Sequence, residues 1–524
     1  MNPVTRRSFL HYGIAAAAAP LVAPLTQPSA AARRAWDRDD EVLEEITIAQ
    51  LQDGMRSGAR SARSICAGYL ARISEIDPKL HAVLETNPDA LAIADRLDAE
   101  RKAGRVRGPL HGIPVLVKDN VATIDRMMTT AGSLALAGVM PPRDAPIVAR
   151  LRAAGAVILG KTNLSEWANI RSTRSSSGWS ARGGQCANPY ALDRNPCGSS
   201  SGTGAGISAN FAAVGIGTET DGSIVCPSSA CSLVGLKPTV GLLDGAGIIP
   251  ISHSQDTAGP MARTVTDASI LLGVLAGRDY SASLDPAGLR GARIGVARKK
   301  VSGYSPETDA LVEAAIDVLR RQGAIIVDPA DIPHLGDYDD SELTVLLYEL
   351  KADLAAYLAT WAPSASVKTL ADVIAFNEAN TAREMPYFGQ ELFLQAQEKG
   401  TLTDQVYRDA LAKDQRLSRA EGLDAVFAQF NLDAIVAPTG SPAWPIDLVN
   451  GDHFLGASST PAAVAGYPSL SVPVGYAYGL PVGMSFIGKA QAEATLLKLA
   501  YSYEQAAKPR RPPRLLPTAD LSTR

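Results

Sequence analysis

What most constrains the fold is a series of short apolar runs separated by stretches of helical periodicity. Ile113-Pro114-Val115-Leu116-Val117 and Ala156-Val157-Ile158-Leu159 are too short for buried helices and show no polar alternation. That is the pattern of strands covered on both faces. Between them, Asp144 opens a helix with Ile147, Val148 and Leu151 on one face, and Gly155 stops it. The order returns where Ser305-Pro306 starts a helix bearing Leu311, Ala315 and Val318 ahead of the strand Ala324-Ile325-Ile326-Val327. Runs at 432–436, 470–474 and 484–487 add strands, and a last helix aligns Leu496, Ala500 and Tyr503. This alternation predicts an α/β chain with a central mixed, largely parallel twisted sheet flanked by helices on both faces.

Ahead of the first strand the chain reads as helical. Ser61 caps a helix carrying Ile65, Tyr69, Ile73 and Ile76, which Asp77-Pro78 is expected to end. Asn87-Pro88 opens another, with Leu91 and Leu97 inward and Gly104 closing it. Without internal repeat or linker, residues 46–514 are expected to form one domain, a helical layer at 46–104 followed by a core at 105–514. At the N-terminus, Arg6-Arg7-Ser8-Phe9-Leu10 precede an alanine-rich run from Ile14 to Leu25 and small residues at Ser29 to Ala32. Pro20, Pro24 and Pro28 argue against an ordinary first helix. The segment resembles a twin-arginine export signal, which implies a leader at 1–31, a flexible segment at 32–45 and a periplasmic or extracellular address.

Composition narrows the partners. Lys+Arg number 50 against 54 Asp+Glu, a net charge of −4, so nothing basic points to nucleic acid. Beyond the first thirty residues no apolar stretch is long enough to span a membrane. The cysteines, Cys66, Cys186, Cys197, Cys226 and Cys231, are odd in number and form no Cys-x-x-Cys pair. In a large chain that folds in a reducing compartment they are expected to be buried free thiols. The histidines show no metal-ligand spacing, so neither metal nor cofactor is expected.

Chemistry concentrates between Gly198 and Ser232. Gly198-Ser199-Ser200-Ser201-Gly202-Thr203-Gly204 is dense in residues that leave backbone N–H groups approachable. A lysine is missing where a phosphate-binding loop needs one, which leaves a structural loop or a nucleophile site. Val214 to Glu219 reads as a strand entering a tight turn that presents Ser223, and the amides of Thr220, Asp221, Gly222 and Ser223 suit an oxyanion hole. No Gly-x-Ser-x-Gly elbow surrounds Ser223, and His111 or His253 remain open as its base. Lys118 is the stronger candidate: at the end of an apolar strand it loses hydration, its pKa falls and the neutral amine becomes available.

These blocks together resemble the amidase signature family. They are Gly112 to Asn120, Gly198 to Gly202 and Gly217 to Ile224, with Gly160 to Glu166, Val234 to Thr239 and Asp256 to Arg263 in the same order. Ser199 and Ser223 also stand 24 residues apart, as the two catalytic serines of that family do. The resemblance implies the amidase-signature fold and a Ser–cis-Ser–Lys triad. Ser223 would be the nucleophile, Ser199, after a cis Gly198–Ser199 peptide, the bridge, and Lys118 the base, with Ser200 assisting. The substrate would be a small-molecule or peptide amide, cleaved through a seryl acyl-enzyme. Where many members carry Gly-Gly before the nucleophile and Arg two residues after it, this chain has Asp221-Gly222-Ser223-Ile224-Val225-Cys226-Pro227. That variant is similar to the bacterial peptide amidases, which implies release of ammonia from C-terminal amides of peptides. A broad aliphatic or aryl amidase is the alternative within the family, and an exported solute-binding protein the alternative outside it. Asp221 and Trp179 are expected near the pocket, Asp221 either facing substrate or bracing the turn.

Overall fold

Strand β2 (Pro114–Lys118) is buried along its whole length, as an unbroken apolar run requires. It lies in parallel between β3 (Val157–Thr162) and β6 (Val214–Glu219). A short strand, β1 (Val83–Thr86), closes this edge antiparallel to β3. Beyond β6 come β8 (Thr257–Ala262), β7 (Val234–Lys237), β12 (Ser469–Ala477) and β13 (Leu480–Ile487), all paired antiparallel. The far edge adds β11 (Ala434–Pro438), antiparallel to β13, and then β9 (Arg293–Val296) and β10 (Ile325–Val327) in parallel. The sheet is thus one mixed, eleven-stranded layer with the order β1-β3-β2-β6-β8-β7-β12-β13-β11-β9-β10. Its parallel pairings fall in two outer blocks, each fed by the helix–strand alternation visible in the sequence. Two-residue strands β4 (Trp179–Ser180) and β5 (Gly184–Gln185) pair apart from it.

The computed structural model describes residues 43–522. The leader expected at 1–31, and the expected flexible segment up to residue 42, lie outside the described residues. The described residues form one compact unit. Its edges reach further than the sequence suggested. Leu43 is buried, and Glu45 is paired with Arg510 at 2.7 Å. At the other end the N–H of Leu192 donates to the carbonyl of Leu516, and Ala519 is buried.

In the first hundred residues, two expectations are corrected. The helix Ala62–Leu80 runs through Pro78 rather than ending at Asp77-Pro78. Proline removes one donor only, and Asp77 compensates at the helix end. Its carbonyl accepts from the N–H of His81, and its carboxylate from those of Ala82 and Val83. The chain emerging there becomes β1, so the layer at 46–104 is not wholly helical. Of the helix Ala90–Lys102, Ala94 and Leu97 are buried and Leu91 only half-buried. Among the described residues no helix is long and apolar enough to cross a membrane.

Candidate active site

Lys118 ends β2, and the burial that makes the strand encloses the amine completely. Its Nζ lies 2.8 Å from Ser199 Oγ, 2.9 Å from Thr218 Oγ1 and 3.2 Å from the Thr218 carbonyl. Burial lowers its pKa to about 7, against the opposing pull of Asp256 and Glu219. Thr218 belongs to β6, the neighbouring strand, so the parallel register alone brings it alongside. Asn120 Nδ2 also donates to Thr218 Oγ1 at 2.8 Å.

Ser199 follows a cis Gly198–Ser199 peptide and precedes the helix Ser201–Ser208. That helix sits tightly on the sheet edge because Gly202 has no side chain; a Cβ there would strike the backbone of Asn163 and the carbonyl of Ala82. Ser200 joins the two halves of the site. Its N–H donates to the Ser223 carbonyl at 3.1 Å, and its hydroxyl donates to the Thr218 carbonyl while accepting from the Thr218 N–H, both at 3.1 Å. It braces β6 against the nucleophile turn.

The turn after β6 owes its shape to Gly222, whose φ of +78° is left-handed, and to Glu219. The Glu219 carboxylate accepts from the N–H groups of Ile224 at 2.6 Å and Val225 at 2.9 Å, which pins the start of the helix Val225–Ala230. Burial raises the Glu219 pKa while Lys237 opposes the shift, and burial lowers Lys237 to about 8. Thr220 is held through its side chain, which donates to Asp256 at 2.6 Å; burial pushes that carboxyl up to about 6. Among the described residues, the N–H groups of Asp221, Gly222 and Ser223 find no acceptor. They stay available to a ligand oxygen.

Ser223 opens on a cavity of about 350 Å³, walled also by Asp221, Cys226, Trp444, Asp452 and Phe454. No hydrogen bond between described residues joins the hydroxyls of Ser199 and Ser223. The structure therefore brings Lys118 and Ser199 into direct contact and attaches Ser223 to them through the backbone of Ser200. Asp221 does both things considered for it: it lines the cavity, and its Oδ2 accepts from Thr460 at 2.6 Å.

Trp179 does not line this cavity. It stacks edge-on against Tyr387 and Phe388, at centroid distances of 5.7 and 5.2 Å, beside the buried pair Arg171–Glu166. The expectation of five free thiols is also corrected. Cys197 and Cys226 form a disulfide, while Cys66, Cys186 and Cys231 are free and buried. One partner immediately precedes Gly198 and the other stands three residues after Ser223, so folding the two serines together brings the sulfurs within bonding reach. Neither His111 nor His253 reaches the site: His111 bonds the Leu97 carbonyl and His253 pairs with Asp353. His253, Glu349 and Asp353 have ligand atoms close together, but Glu349 already accepts from Ser252, Ser254 and Tyr407.

A family model described as Amidase matches residues 64–497. An Arabidopsis thaliana protein named as an amidase is 42% identical over 90% of this chain and 92% of its own length. An amidotransferase subunit for glutamyl-tRNA(Gln) from Chloroflexus aurantiacus is 35% identical, covering 88% of this chain and 97% of that one. The native peptide amidase of Stenotrophomonas maltophilia superimposes with a TM-score of 0.87 at 50% identity, over 90% of this chain and 99% of that chain. A peptide amidase complex with the competitive inhibitor chymostatin gives 0.88 at 51%, with the same coverage of both chains.

Proposed function

This chain belongs to the amidase family, and from that premise we propose that it hydrolyses C-terminal amides of peptides through a seryl acyl-enzyme, releasing ammonia. The observation that carries the mechanism is the completely enclosed Lys118 amine, 2.8 Å from the Ser199 hydroxyl. A neutral amine has two N–H donors and one lone pair. With Thr218 O and Oγ1 taking the donors, the lone pair is left for the Ser199 O–H. Lys118 takes that proton, Ser199 takes the proton of Ser223, and Ser223 Oγ bonds to the amide carbon. The relay requires the hydroxyls of Ser199 and Ser223 to come within hydrogen-bond distance of each other. Charge developing on the carbonyl oxygen is met by the free amides of the 221–223 turn. Proton return to nitrogen releases ammonia, and water attacking the ester frees the carboxylate.

The peptide preference is supported by the likeness to peptide amidase over nearly its whole length and by the Asp221 variant of the nucleophile turn. Ammonia release measured over amidated peptides, aliphatic amides and aryl amides tests it, and a flat profile would favour a broad amidase. Acyl transfer to hydroxylamine, lost in Ser223→Ala, separates enzyme from binding protein. Export through the twin-arginine pair is proposed with it; Arg6→Lys together with Arg7→Lys is expected to retain the protein inside the cell.

A further inference from the structure

The end of the sheet away from Ser223 carries a groove that the proposed reaction does not use. β12 pairs Ser469 with Lys237 at the end where Glu219 leads into the nucleophile turn, so Val474 to Tyr476 stand at the opposite end. There they meet the helix Pro306–Arg321 and the chain following the helix Glu493–Ala507, around a cavity of about 1000 Å³. Its floor is apolar: Leu311, Ala315 and Val318 lie along one face of the first helix, beside Val474 of the sheet. Its rim is basic. Arg321, Lys508, Arg511 and Arg514 line it, all exposed, and no acidic residue does. Among the described residues none of the four has a carboxylate within ion-pair distance. Asp520, which Arg514 influences through space, lies outside the lining and accepts from Ser522. In a chain of net charge −4, four cations without counter-charges around one groove reverse the sign locally.

The strap that holds three of these charges is anchored. Pro509, Pro512 and Pro513 restrict its backbone. Arg510 turns inward, pairing with Glu45 and donating to the carbonyls of Ser232 and Ser208 at 2.6 and 3.1 Å. The N–H of Arg511 donates to Tyr476 Oη at 2.6 Å, its carbonyl accepts from Tyr190, and the N–H of Leu515 donates to the Pro189 carbonyl at 3.0 Å. Fixed backbone therefore displays the guanidinium groups of Arg511 and Arg514. We propose that this groove docks an acidic peptide segment of a partner protein, its carboxylates on the four cations and its apolar side chains on the floor between them. Guanidinium groups donate paired hydrogen bonds to carboxylates, which suits them to acidic segments. A flat anionic membrane would reach the rim alone, and none of the exposed large apolar side chains stands in the lining to insert. Single-stranded nucleic acid needs a stacking platform. Tyr190 and Tyr503 are buried, and Tyr476 is engaged by Tyr190 and by the Arg511 guanidinium.

Fluorescence anisotropy tests the docking with a labelled peptide of alternating glutamate and leucine that ends in a free acid. It should bind the unmutated protein at low salt at least tenfold more tightly than the same peptide with lysine for glutamate. Added salt, which screens exposed charges, should weaken it at least tenfold, and serine in place of leucine at least threefold. Arg321→Gln, Lys508→Gln, Arg511→Gln and Arg514→Gln combined should cost at least tenfold in affinity. Turnover of a peptide amide should stay within twofold in that variant, because the groove lies at the other end of the sheet. No binding at low salt, equal binding of the glutamate and lysine peptides, or an affinity untouched by the fourfold variant would overturn the proposal. So would phosphatidylglycerol vesicles or a single-stranded oligonucleotide binding, in a way the variant abolishes, where the acidic peptide does not. A dimer in sedimentation that the variant dissociates and the acidic peptide leaves intact would give the groove to a second copy and overturn it too. The salt series and the lysine peptide need no variant, which keeps the test decisive where the substitutions disturb folding.

Discussion

Lys118 and Lys161 stand on neighbouring parallel strands, where Lys118 aligns with Thr162 and Lys161 with Val117. Both are fully enclosed, and burial lowers both, to about 7 and about 8. Their surroundings separate them. Lys161 Nζ donates to the Val121 carbonyl at 2.6 Å and to Thr129 Oγ1 at 2.7 Å, tying the 119–130 loop to the sheet with Asp119 nearby. Lys118 meets a serine hydroxyl whose chain neighbours line a cavity. Desolvation brings an amine's titration close to physiological pH, but only a reachable hydroxyl gives the neutral form chemical use. On the proposed mechanism one lysine therefore serves the reaction and the other the architecture.

The comparison breaks most easily at Lys118. Lys118→Met should lower kcat/KM about a thousandfold or more while the thermal midpoint stays within a few degrees; retained activity would end the base assignment. At Lys161 the expectation reverses. Lys161→Met removes both bonds, leaving the buried Val121 carbonyl and Thr129 hydroxyl only their 3.3 Å contact with each other, and should cost about 2–4 kcal/mol in urea unfolding, with kcat/KM of the folded fraction little changed. The Cys197–Cys226 disulfide asks which of the two lysines it resembles. Replacing both cysteines by alanine should cost about 2–4 kcal/mol of stability and lower kcat/KM only several-fold, placing it with Lys161.

A finer test uses pH. With Lys118 as the proposed base, the free enzyme needs it neutral, so kcat/KM should fall about tenfold per unit below the limb near pH 7. Asp256 favours the protonated amine. Asp256→Asn should therefore lower the Lys118 pKa and move the acid limb to lower pH by about half a unit. A limb that moves upward would show that Asp256 positions the turn without acting on the lysine.

Much of this was readable along the chain. The run Ile113 to Val117 announced a buried strand ending in a lysine, and Val214 to Glu219 announced another feeding a serine-bearing turn, because apolar strands and glycine turns are local signals. Strand β1 was missed since Val83-Leu84-Glu85-Thr86 is short, half-exposed and defined by its partner rather than its pattern. Thr218 and Glu219 were read only as strand residues; their positions just before the turn were the available clue. Trp444 and Asp452 gave no signal, since they reach the cavity from more than two hundred residues downstream. Likewise the partner of Asp221, Thr460, lies 239 residues away.

By itself the sequence determined which groups can react: a lysine at the end of an apolar strand, two serines at a family spacing, and a turn rich in free amides. Tertiary structure decided which of them meet and what surrounds them. It joined Cys197 to Cys226, moved Trp179 off the cavity and set two carboxyls beside the nucleophile. Residue type and short-range periodicity set covalent chemistry and local conformation, but pKa values, pairing and cavity charge depend on distances between segments far apart in the chain.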